Sequence, residues 1–277
     1  MLTPAQRHFQ KVMAERHGKA EELSETARTA HEQILHRLRM DQSALRKVQS
    51  DQAKAEMKKQ LLPHYSGWIE GTLDGNSGRQ DEVIVTLMIW AIDAGDYPLA
   101  VRIGRYVIAH GLKMPDRFHR TSATALVEEL CDPILVQVKA DDSADITTYQ
   151  PVLDELAQIV EGQDMPDQVM AKLFKVRGFA LRNGTVADQT TALALLRQAL
   201  KLDAGAGVKK EIERLSRTVK RASQSADTPQ DDAAASPPAT VVATKARKPR
   251  STTRKAPAKK AKTGKAVTKN AKPAPTE

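Results

Sequence analysis

Apolar positions along most of this chain recur with helical spacing, and the pattern predicts a succession of helices. Thr3 before Pro4 marks the first start, because the hydroxyl can cap free backbone N–H groups and the fixed φ of proline suits a first turn. That helix runs to about His17 and breaks at Gly18. Residues 19 to 62 then hold no glycine or proline and are rich in Ala, Glu, Gln, Lys and Arg, so one long helix ending at Pro63 is expected. Along it His31, Leu38, Leu45 and Gln52 fall seven apart, with Ala27, Ile34, Asp41, Val48 and Ala55 at the second seam position. This is a weak heptad. Asp41 and Gln52 make it a poor isolated dimer, which leaves an intramolecular hairpin, a ring of subunits, or a solvated helix with one face on the body.

Gly67, Gly71, Gly75, Asn76 and Gly78 predict a glycine-rich loop over 63–80, longer than most connections inside a domain. After it, Val83 to Ile92 is apolar nearly all round, which marks a central buried helix with Asp81 and Glu82 at its positive end. Ala94-Gly95-Asp96 turns the chain, and Leu99, Ala100, Ile103 and Val107 carry a second helix to His110-Gly111, giving an αα-hairpin. Further helices are expected near 117–131, 133–140, 149–161, 167–182, 188–202 and 208–220. The last two resemble a tetratricopeptide-type hairpin, without a regular repeat of about 34 residues. The fold class is all-α: a long N-terminal helix followed by a bundle of helical hairpins, with a disordered basic C-terminal tail. The divisions are 1–62 as an N-terminal segment for DNA binding or oligomerisation, the loop 63–80, a hairpin body 81–221, and a linker with tail over 222–277.

Charge changes the picture at the C-terminal end. The chain has 43 Lys and Arg against 34 Asp and Glu, yet 12 of those cations and one acid lie from Lys245 onward, leaving residues 1–244 near neutral. The expected arrangement is a tethered cationic arm on a neutral body. Its cations include Lys245, Arg247, Lys248, Arg250, Arg254, Lys255, Lys259, Lys260, Lys262, Lys265, Lys269 and Lys272, interleaved with Ala, Pro and Thr as in linker-histone tails. Such a composition buries too little apolar surface to offset its ordering entropy. With about half of these cations on phosphates, counterion release sets a log–log salt slope of roughly −5, with no base selectivity. A second cationic group, Arg7, Lys11, Arg16 and Lys19, lies on the first helix, and Arg37, Arg39, Arg46 and Lys47 follow on the next.

Other chemistry is sparse. Cys131, the single cysteine, sits on an apolar helix face and is expected to be a core thiol in a reducing compartment. Gly264-Lys265 lacks both the leading glycine and the Ser/Thr of a phosphate loop, so ATP-driven work belongs to a partner. Glu70, Asp74, Asp81 and Glu82, with His64, are the densest carboxylate group and the candidates for binding Mg²⁺ if the chain cleaves DNA; solvated loop acids are the competing reading, and no other cofactor is evident. No zinc-binding pattern is present, no stretch is long and apolar enough to cross a bilayer, and Met1-Leu2-Thr3-Pro4 lacks a secretory start.

Leu2-Thr3-Pro4-Ala5-Gln6-Arg7-His8-Phe9, the stretch from Leu61 through Gly78-Arg79-Gln80-Asp81, Met88 through Tyr97, and Met114-Pro115-Asp116-Arg117-Phe118 to Cys131-Asp132-Pro133 resemble the small terminase subunit of peduovirus-type tailed phages. The resemblance covers roughly residues 1 to 215. It implies an endonuclease subunit that binds double-stranded phage DNA at the cohesive-end site. It also implies partnership with a large ATPase subunit and the portal, as a homo-oligomer in the bacterial cytoplasm, to package DNA into the procapsid. No catalytic motif of that family maps onto residues here, so cleavage rests on the resemblance. The alternative is a non-enzymatic helical scaffold whose histone-like tail binds DNA non-specifically.

Overall fold

Thr3 begins the fold as its sequence predicts. Its N–H donates to Gln6 Oε1 at 2.9 Å while its hydroxyl accepts from the Gln6 N–H at 3.3 Å, closing the first turn of α1 (Pro4–Lys19). The structure is a computed structural model that describes residues 2–19, 25–115 and 120–226, without the side chains of Lys19, Ser225 and Ala226. All described residues fall within one unit, Met1–Pro229, and all regular elements among them are helical.

The expected single helix over 19–62 is divided. α2 (Glu25–Lys47) ends and α3 (Asp51–Leu61) starts anew at Ser50, whose backbone is extended and whose hydroxyl accepts from the Ala53 N–H at 3.3 Å. Serine followed by an acid is a good helix start as well as a tolerable helix interior, and here the start wins. Of the heptad, Ala27, Ile34, Leu38 and Leu45 are buried, together with Ala30. Asp41 is satisfied inside the molecule by the buried Tyr65, whose hydroxyl donates to Asp41 Oδ2 at 2.6 Å. The seam is thus one face of a helix laid on the body.

The predicted loop over 63–80 is mostly helix. A 3₁₀ turn (Leu62–Tyr65) runs into α4 (Ser66–Gly75), which Asn76 closes in the left-handed conformation at φ 45°. α4 packs chiefly along α1. α5 (Glu82–Asp93) is buried nearly all round and forms the expected hairpin with α6 (Tyr97–Ala109). α7 (Ser122–Ala140) is continuous where two helices were expected, since Pro133 lies inside it on the exposed side, where water can take the carbonyl that proline leaves unpaired. Its Cys131 is fully buried, and burial pushes the thiol well above its ordinary pKa, as fits a core residue. A second 3₁₀ turn (Thr147–Tyr149) leads into α8 (Gln150–Ile159), then α9 (Asp167–Leu181), α10 (Val186–Leu202) and α11 (Lys209–Ala226).

One apolar core joins α1 through α9 around Trp68, Ile84, Leu87, Met88, Ile103, Leu126 and Leu130. A smaller one, with Leu181, Ala192, Leu196, Val208 and Leu215, holds α10 and α11 to the end of α9. Among the described residues no helix is long and apolar enough to cross a membrane.

Candidate nucleic-acid interface

The seam between α1 and α4 is built on glycine. Gly67, Gly71 and Gly75 stand four apart and therefore share one face of α4. A Cβ on Gly67 would lie 2.4 Å from the Arg7 carbonyl oxygen, and one on Gly71 2.1 Å from that of Lys11, so the two backbones meet where no side chain fits. Flanking that contact, Arg7 pairs with Glu70, and Lys11 pairs with Asp74 at 2.7 Å. The hydrogen bond and the charge of its partner raise the pKa of each cation, and Lys11 holds the Asp74 carboxyl below its ordinary value.

Two of the four candidate cations on the first helix thus already have carboxylate partners, although Arg7 stays half exposed. Arg16 is exposed, with no ion pair among the described residues. Lys19 ends α1, and its side chain lies outside the described residues, as do Lys245, Arg247, Lys248, Arg250, Arg254, Lys255, Lys259, Lys260, Lys262, Lys265, Lys269 and Lys272. On α2, Arg37 lies over the Tyr65 ring at 5.8 Å and 3.8 Å from Asp41. Arg39, Arg46 and Lys47 are exposed, and Arg39 and Arg46, seven apart, share a face.

The carboxylates do not converge. Glu70 and Asp74 face α1 in ion pairs, and Glu82 sits in the first turn of α5, where the helix dipole favours it. His64 accepts at its carbonyl from Gln10 Nε2 at 3.2 Å, and burial and Arg37 lower its imidazole pKa. Among the described residues no group of three His, Cys, Asp or Glu side chains could hold a metal ion.

Asp81 belongs to a different cluster, which the sequence pattern did not reveal. Only 3% exposed, it caps α5 by accepting from the Val83 N–H at 2.8 Å, and accepts from Trp68 Nε1–H at 2.8 Å. His31 Nε2 lies 3.3 Å from Asp81 Oδ1, the oxygen that also caps α5, and His17 stacks on His31 with ring centroids 4.2 Å apart. The cluster thus ties α1, α2, α4 and the start of α5 together. Its one legible signal was an acidic N-cap ahead of an apolar run.

Burial first, then the charge of His31, lowers the His17 pKa to about 4 from 6.5. The folded state therefore prefers neutral His17, and its contribution is complete above pH 6.5 and lost as the pH falls towards 4. Between pH 7 and pH 5 the loss amounts to about 2 kcal/mol. Urea melts of the wild type and His17→Gln at both pH values measure it: the wild type loses that much more than the variant, and equal losses contradict the assignment.

Residues 35–168 match the family model described as phage small terminase subunit. The chain is also 39% identical over 220 residues to the terminase, endonuclease subunit, of Escherichia phage P2, covering 79% of this chain and 87% of that protein. The chain belongs to the phage small terminase subunit family. No solved structure matches it. It is therefore a terminase subunit of phage DNA packaging, and the central and Met114–Pro133 stretches that carried the resemblance lie within the residues the family model matches.

Proposed function

We propose that this terminase subunit recognises the cohesive-end site of double-stranded phage DNA as a homo-oligomer. In the host cytoplasm it delivers that site to the large ATPase subunit for cutting and packaging into the procapsid. The observation that carries this reading is the 39% identity, over most of both chains, to a protein named as the endonuclease subunit of a terminase. The site geometry supports a recognition role. The carboxylates that were candidates for Mg²⁺ are engaged in helix pairing and capping, whereas Arg16, Arg39 and Arg46 are presented to solvent. Cutting then falls to the assembled complex with Mg²⁺, and the Lys/Arg-rich tail adds sequence-independent attraction that speeds capture.

Titration of the full chain with cohesive-end and scrambled duplexes at moderate salt tests this. Site recognition gives at least about a tenfold preference, or ~1.4 kcal/mol. Equal affinities reduce the chain to a non-specific scaffold.

A further inference from the structure

α11 is amphipathic in an unusual way. Val208, Ile212 and Leu215 dock it on α10, and this fixes which side faces outward. At 100° per residue Lys210, Arg214, Arg217 and Arg221 line up directly opposite that docked side, with Lys209 and Lys220 on its shoulder. Lys210, Arg214, Arg217, Lys220 and Arg221 are exposed, as is Lys209. Six cations face two acids here, the largest net positive charge of any described helix, while residues 1–208 together hold 25 cations and 28 acids.

The arrangement works against the helix itself. Lys209 and Lys210 stand in the first turn, at the positive end of the dipole, and Lys210 with Arg214 and Arg217 with Arg221 are like charges one turn apart. Glu211, pairing with Arg214, and Glu213, 3.4 Å from Arg217, offset only part of this. A charge row that costs its own helix stability and points at solvent suits a polyanion of matching length. The row spans about 16 Å at 1.5 Å per residue, a stretch along which duplex DNA presents a dense run of phosphates.

We infer that the outward face of α11 is a phosphate-backbone binding surface of the folded body, for duplex DNA and without base selectivity. The inference rests on the DNA-binding reading above. Because the apolar side of α11 is occupied, the helix lies against a DNA backbone with only its cationic row, and contributes affinity and salt dependence rather than site choice.

The test is a salt titration of random duplex binding by the full chain and by a full-length Lys210→Gln, Arg217→Gln, Lys220→Gln variant. These positions leave the Arg214–Glu211 pair intact. With three fewer phosphates neutralised, at about 0.9 each, the log–log slope becomes shallower by about 2 to 3, while the ratio of cohesive-end to random affinity is kept. Lys210→Arg with Lys220→Arg keeps the wild-type slope, and matching helical circular dichroism separates charge loss from unfolding. An unchanged slope in the Gln variant, with the wild type still binding DNA, overturns the inference and leaves the proposed function standing. Failure of the Gln variant to retain the large subunit, at an unchanged slope, also overturns it, marking α11 as a protein-docking face. A wild-type chain that binds no duplex overturns both.

Discussion

Gly71→Ala lowers stability by about 3 kcal/mol, although alanine is the better helix former by about 1 kcal/mol. The new methyl would stand 2.1 Å from the Lys11 carbonyl oxygen and 2.8 Å from the Ala14 Cβ. The carbonyl is part of α1 and cannot swing aside as a side chain can. α1 must therefore lift off α4, which uncovers Met13 and Ala14 and strains the Arg7–Glu70 and Lys11–Asp74 pairs. Thermal melts read the change as a fall of about 6–12 °C, taking ~2–4 °C per kcal/mol for a chain of this size. Gly75→Ala is the control, because its Cβ would meet nothing nearer than the Glu15 Cα at 3.3 Å; it shifts stability by less than about 1 kcal/mol. A Gly71→Ala protein as stable as the wild type contradicts the backbone-contact account of this seam.

Asp81→Ala costs about 3 kcal/mol, from two separable losses. Removing the cap on α5 costs about 1 kcal/mol, and leaving the indole N–H of fully buried Trp68 without an acceptor costs roughly 1–3 more. The stacked His17 and His31 rings lose the carboxylate that faces them, so α1 and α2 loosen together with the start of α5. Asp81→Asn keeps one acceptor oxygen, enough for either the Val83 N–H or Trp68, and falls at about half the cost. Urea denaturation at pH 7 measures both variants. If Asp81→Ala lies within about 1 kcal/mol of the wild type, the cluster does not hold these helices.

The candidate interface was legible in part. Basic positions are visible in any sequence, and Arg16, Arg39 and Arg46 are indeed presented to solvent. Arg7 and Lys11 looked equally available, and only the approach of α4 shows them engaged, because an ion pair 63 residues apart leaves no local trace. The same holds for the acids: Glu70, Asp74, Asp81 and Glu82 lie close along the chain, yet helix geometry points them to different neighbours. The cationic row of α11 was legible in principle through its spacing at i, i+4, i+7 and i+11, once the opposite face is known to be docked.

Where local preference and tertiary demand agree, the sequence alone was sufficient. Thr3-Pro4 starts a helix, the run Val83 to Ile92 is a buried one, and Ala94-Gly95-Asp96 turns it into a hairpin, because capping, periodicity and turn chemistry all act within a few residues. Three features needed the folded molecule. Ser50 became a cap, because a helix interior and a helix start are close in energy for serine. Pro133 stayed inside α7, since the lost hydrogen bond faces water. Gly67, Gly71 and Gly75 read as a loop because glycine is a poor helix former, and they form a helix because α1 comes so close that only glycine fits beneath it. That packing term belongs to two segments some sixty residues apart, and no window along one stretch of sequence contains it.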